Sequence, residues 1–151
     1  MGQQEISSIT ACSKASHSVG GADANGDVLY ESRYGGADKN GLTIAIAAGA
    51  TGGGNENRPL AVVRSGVDVV VTLGTDGSGN TIFPTATEME SLFTADDALS
   101  KFMTATAQGT GASVAGQVTQ TNLAGGADDG DRVKFTGPPV MVRYVAGSEA
   151  L

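Results

Sequence analysis

Tryptophan is absent from this 151-residue chain, and aromatic residues of any kind make up only 5% of it. A core must therefore be assembled from Val, Leu, Ile and Ala, and it will be small. Cysteine occurs once, at Cys12, which rules out a disulfide within the chain. Histidine also occurs once, at His17. One Cys and one His fall short of the ligand sets that ordinarily hold zinc. Positive charge is scarce, with 9 basic against 16 acidic residues and a net charge of −7. A sequence-independent nucleic-acid binder needs a basic surface to displace counterions from phosphates, so no nucleic-acid partner is expected. An anionic membrane surface is disfavoured on the same ground. No run approaches the ~18 apolar residues that would span a bilayer. The first residues, Met1-Gly2-Gln3-Gln4-Glu5, show no basic region leading into an apolar one, so use without export is expected. Gly2 invites comparison with a myristoylation signal, but Ser7 falls one place beyond the Ser/Thr of that motif.

Glycine, by contrast, is abundant, with 23 residues, which suggests many turns between short strands. The length fits one domain. Residues 1–26 are small and polar, with Ile6 and Ile9 the large apolar exceptions. They read as an N-terminal arm, either flexible or ordered on a neighbouring subunit. Residues 27–151 read as a single α+β domain, sheet-rich and antiparallel with one main helix. Its strands are expected at Asp27–Ser32, at Leu42–Ala47 with Leu42, Ile44 and Ile46 on one face, and in a hairpin over 59–73. In that hairpin Val67, Val69, Val71 and Leu73 alternate onto one side, and Ser65-Gly66 supplies the turn. Thr104–Ala107 is expected to re-enter the sheet, Val114–Leu123 is ambiguous, and 132–145 carries two terminal strands split by Gly137-Pro138-Pro139.

The helix is expected from Ala86. Thr85 and Glu88 have the spacing of a capping box, and Met89, Leu92 and Phe93 share one face. Thr94 with Asp97 suggests a further helical turn carrying Leu99 and Phe102.

Candidate chemistry is sparse. Cys12 and His17 lie among serines with no third group to orient an imidazole, so no catalytic dyad is expected. Gly49–Gly54 lacks the Lys-Ser/Thr of a phosphate-binding loop, and Gly109–Ser113 lacks the third glycine of a dinucleotide fingerprint. Asp76, Ser78 and Asn80 alternate like the opening of a calcium loop, but Thr81 and Thr87 stand where Gly and Glu are needed. Asp128, Asp129 and Asp131 cluster around Gly130. Turn chemistry and a structural cation both account for these two clusters. Glu88 and Glu90, two apart on a helix, point in different directions and do not form an acid–base pair. The residues thus give no catalytic, cofactor-binding or metal-binding set, and no enzyme is expected.

Taken in order, Asn40–Ile44, Leu60–Val62, Val67–Asp76, the Thr85–Glu88 helix start and Leu123–Asp128 resemble a small α+β module of tailed-bacteriophage virion proteins. The module occurs in head and tail structural proteins and as an insertion in tail sheath proteins. The resemblance covers roughly residues 38–129, and Ser91, Phe93 and Thr94 interrupt the longer Ala-rich helix usual in that module. It implies a non-enzymatic assembly protein located in the virion. The expected role is capsid decoration (cement) on the head exterior, with the major capsid protein and copies of itself, as a trimer, for partners. A tail tube or sheath-associated protein is the alternative. A glycan- or surface-binding module ranks below both, because no Trp is present to stack on sugars.

Overall fold

The computed structural model describes residues 12–128. The terminal strands expected over 132–145 and the first eleven residues of the expected arm lie outside them. Among the described residues seven strands form two sheets, accompanied by one ten-residue helix. The strands are β1 (Ser16–Val19), β2 (Val28–Ser32), β3 (Thr43–Ala48), β4 (Ala61–Ser65), β5 (Asp68–Leu73), β6 (Met103–Ala107) and β7 (Val118–Asn122). The α-helices are α1 (Ala86–Ala95) and a single turn, α2 (Asp97–Ser100), and a 3-10 helix spans Ala37–Gly41. One sheet has the order β1-β2-β6 and the other β4-β5-β3-β7. This is the expected sheet-rich α+β class.

All pairings are antiparallel except β3 with β5, which run parallel. The long loop after β3 makes this possible, because β4 is laid down beyond the position that β5 then fills. The hairpin turn occupies Gly66 and Val67, one residue later than expected, with Ser65 opposite Asp68. Gly66 takes φ 61°, a conformation costly for residues with a Cβ. Val67 therefore leaves the strand and is exposed, while Val69, Val71 and Leu73 face inward.

Part of the expected arm belongs to the domain. β1 pairs with β2 in register from Ser16↔Glu31 to Val19↔Val28, and Ala15 and Val19 are buried. The small residues that suggested weak burial instead permit close approach. A Cβ on Gly116 would lie 1.8 Å from the Gly20 carbonyl oxygen.

The inner faces of both sheets and α1 share one core. It includes Val28, Tyr30, Ile44, Ile46, Val69, Val71, Met89, Phe93, Met103 and Leu123. The Tyr30 and Phe93 rings meet at 5.3 Å between centroids, tilted by 55°. Such aromatic contacts add about 0.5–1.5 kcal/mol beyond area burial. The capping box forms as its spacing predicts. Glu88 N–H donates to Thr85 Oγ1 at 3.3 Å, and Thr85 N–H donates to Glu88 Oε2 at 2.7 Å. The second helical turn is capped by Asp96, whose Oδ1 accepts from the N–H groups of Ala98 and Leu99. Asp96 sits two residues ahead of Ala98, within reach of those amides, and so takes the position assigned to Thr94 from spacing.

Candidate functional site

Several polar groups singled out in the sequence take part in turns and caps. Asp76 Oδ1 accepts from Ser78 N–H at 2.8 Å and Asn80 N–H at 2.9 Å, while Asn80 Nδ2 donates to its Oδ2 at 3.0 Å. The Asn80 amide, followed by the backbone N–H groups of Asn80 and Ser78, holds the Asp76 carboxyl below its ordinary pKa. Turn chemistry therefore accounts for this cluster. Asp128 Oδ1 accepts from Ala37 N–H at 2.9 Å, whereas Asp129 and Asp131 lie outside the described residues. Among the described residues no group of three or more His, Cys, Asp or Glu is placed to hold a metal ion.

Both glycine-rich loops have packing roles. Gly52 N–H donates to Gly79 O at 3.1 Å, joining the first loop to the Asp76 turn. The second loop closes the start of α1. Ala86 N–H donates to Ser113 O and Thr87 N–H to Gly111 O, each at 3.0 Å. The first-turn amides of α1 are thus consumed and do not form an anion site. Glu88 serves the cap, and Glu90 Oε2 accepts from Ala107 N–H at 3.2 Å, so the two carboxylates have separate duties. His17 lies on β1 opposite Tyr30, half-buried. Cys12 is exposed and packs against Gly35, where a Cβ would approach the Cys12 Cβ to 2.4 Å.

What the fold does present is surface without charge. On the outer face of the four-stranded sheet, Val63 of β4 stands opposite Val70 of β5, and the two are 63% and 40% exposed. Ala45 of β3 lies beside Val70, and Ala47 beside Thr72. Asp68 marks one end of this face, where its Oδ1 accepts from Thr43 Oγ1 at 2.7 Å and Gln120 Nε2 at 2.9 Å. Arg64 leaves the face altogether, its guanidinium lying 3.7 Å from the centroid of the Phe102 ring. A second apolar patch comes from Ile82 and Phe83, about half exposed at 51% and 48%, near a hollow lined by Pro59, Leu60 and Pro84.

The alternating pattern of β5 was legible in the sequence, but which side stays uncovered was not. That depends on α1 packing against β6, β2 and β4, which leaves Val63 and Val70 in solvent. No helix among the described residues is long and apolar enough to cross a membrane. Comparisons with protein-family models, with curated proteins and with solved structures found no match for this chain.

Proposed function

We propose that this chain is a structural protein of a tailed-phage virion, acting as a decoration protein that bridges major capsid subunits on the outside of the head. The observation that carries the reading is the uncharged outer face of the four-stranded sheet, centred on the Val63–Val70 pair. On a chain with a net charge of −7, a face of Val, Ala and Thr with one hydrogen-bonded carboxylate at its end is suited to being covered. Its area is modest, which suits a lattice in which many weak contacts act together. The excess of acidic residues favours a position away from packaged DNA. Asp76, Glu88, Asp96 and Asp128 are engaged in caps and turns, which fits a role in assembly.

The deciding experiment is the number of copies per virion, measured by quantitative mass spectrometry on separated heads and tails. The decoration reading expects copies on heads at a fixed ratio to the major capsid protein and none on tails. Copies confined to tails would replace it with the tail tube or sheath-associated alternative, and absence from both would refute the virion role. Replacing both Val63 and Val70 by Glu should abolish incorporation while leaving the far-UV circular dichroism unchanged. Normal incorporation of that variant would show that the contact lies elsewhere.

A further inference from the structure

Most strand edges of the two sheets are closed or blunted. β1 is covered by the chain after β7, where Ser16 and Ala124 exchange backbone hydrogen bonds of 2.8 and 2.9 Å. β6 lies against α1, with Met103 and Ala105 buried. β7 carries a bulge, since its stretch from Thr121 to Val118 runs one residue longer than the facing stretch of β3 from Ile44 to Ile46. Thr121 Oγ1 also donates to the Thr119 carbonyl. A bulge of this kind turns an edge away from pairing. β4 has none of these features. Ala61, Val63, Arg64 and Ser65 are exposed, Val62 is half-buried, and the ladder with β5 is unbroken.

The direction of the free backbone groups follows from the neighbouring strands. Thr43 N–H donates to Val67 O at 3.1 Å, which fixes the phase of the parallel β3–β5 ladder. Val67, Val69, Val71 and Leu73 then bond toward β3, and Asp68, Val70 and Thr72 bond toward β4. Their partners on β4 are Ser65, Val63 and Ala61. Val62 and Arg64 therefore aim their N–H and C=O groups away from the sheet, and no backbone group among the described residues bonds to them. A groove of about 310 Å³ lies beside this edge, with Asp96, Ala98 and Leu99 as its far wall. Neither Pro nor Lys guards Ala61–Ser65, and the one charge on the strand is drawn aside. Arg64 Nε donates to Gly66 O at 3.0 Å, and its guanidinium rests on the Phe102 ring.

We propose that β4 pairs antiparallel with β4 of a second copy of this chain, joining two four-stranded sheets into one about a two-fold axis at Val63. In that register Val62 of each copy exchanges main-chain bonds with Arg64 of the other, and the two Val63 side chains meet at the close, non-hydrogen-bonded position. Two observations select a second copy as the occupant. The groove carries one charge of each sign, Arg64 and Asp96, so a strongly charged segment gains nothing there, whereas a symmetric copy brings the opposite sign to each. Val63 is 63% exposed, and pairing extends the Val70–Val63 row of each copy into one uncharged band across the seam. An axis at Arg64 would set two cations face to face, and one at Val62 would leave Val63 opposite Ala61. Short edge strands bury little area, so the dimer is weak, with a Kd of about 10–500 µM. It is a property of the isolated protein and does not depend on the virion assignment.

Sedimentation velocity of the full chain from about 5 µM to 1 mM should show a monomer–dimer equilibrium. Val63→Lys, which sets two cations together on the axis, should weaken it at least tenfold. Val70→Lys, on the same outer face but one strand in from the seam, should change it less than threefold. Val62→Pro, which removes an outward N–H while sparing the bonds to β5, should abolish it. In dilute protein the amides of Val62 and Arg64 should exchange with deuterium quickly and those of Val63 and Ser65 slowly, and raising the concentration should protect the first pair. Four results would overturn the pairing: a monomer throughout, a trimer or larger ring, equal loss with Val70→Lys and Val63→Lys, or Val62 and Arg64 amides already protected in the monomer. Equal loss would mean that copies stack by their faces, and early protection that the chain itself fills the edge.

Discussion

Replacing Tyr30 by Phe should leave the protein at least as stable at neutral pH and change how it responds to alkali. Tyr30 is fully buried, and its hydroxyl oxygen makes no hydrogen bond among the described residues. An unpaired buried hydroxyl costs about 1–3 kcal/mol on protein mutational scales. Removing it leaves a void of about one oxygen atom, worth only a few tenths of a kcal/mol at ~24 cal/mol per Å³. The ring stays against Phe93, so the aromatic contact is kept. The expected net effect is a gain of about 1 kcal/mol. Burial also raises the Tyr30 pKa above its ordinary value of 10.0. The unfolded chain therefore ionises first as pH rises past 10, and the folded state holds the extra proton. Stability from this group is complete below pH 10 and falls above it by about 1.4 kcal/mol per pH unit until the folded phenol ionises. Urea unfolding of wild type and Tyr30→Phe at pH 7 and at several values above pH 10 checks both parts, because every other titration is common to the two proteins. A loss above about 1 kcal/mol at pH 7 would mean that the hydroxyl has a partner. A stability difference that fails to widen above pH 10 would refute the burial argument itself.

The Thr85→Ala variant should lose about 1 kcal/mol, seen as a lower Tm, because the α1 cap loses its acceptor for Glu88 N–H. Phe93→Ala should cost about 3–5 kcal/mol by urea unfolding, since the ring is buried against Tyr30 in the shared core. Gly116→Ala should prevent β1 from seating, because its Cβ would lie 1.8 Å from the Gly20 carbonyl oxygen. Amide exchange of Ser16–Val19 should then rise to the rate of an unpaired strand. The lowered Asp76 pKa means that its contribution is present above pH 3.8 and is lost as pH falls through the folded value. An NMR titration should place Asp76 below 3.8, and Asn80→Ala should move it upward by removing the largest cause.

Elements specified by local chemistry were legible in the sequence. The Thr85–Glu88 box, the inward faces of β3 and β5 and the break at Gly66 each depend on residues a few places apart. Long-range placement was not. β1 carries Ser16, His17 and Ser18, and no apolar alternation marks it; it is a strand because β2 and Ala124 bond to it from either side. The parallel β3–β5 pairing was hidden because alternating apolar residues look alike in either direction.

The parallel strand pair also sets an order of events during folding. β4 and β5 are joined by a two-residue turn and can zip as soon as they are made, whereas β3 must wait for β5, 25 residues downstream of its own first residue, from Thr43 to Asp68. Closing that distance is an entropic cost that precedes any inner-face contact between the two strands. A prebuilt hairpin onto which β3 docks is the economical route. Weakening the Gly66 turn should therefore slow refolding in stopped-flow experiments, while changes on β7, a late arrival at the far edge, should act on the unfolding rate alone.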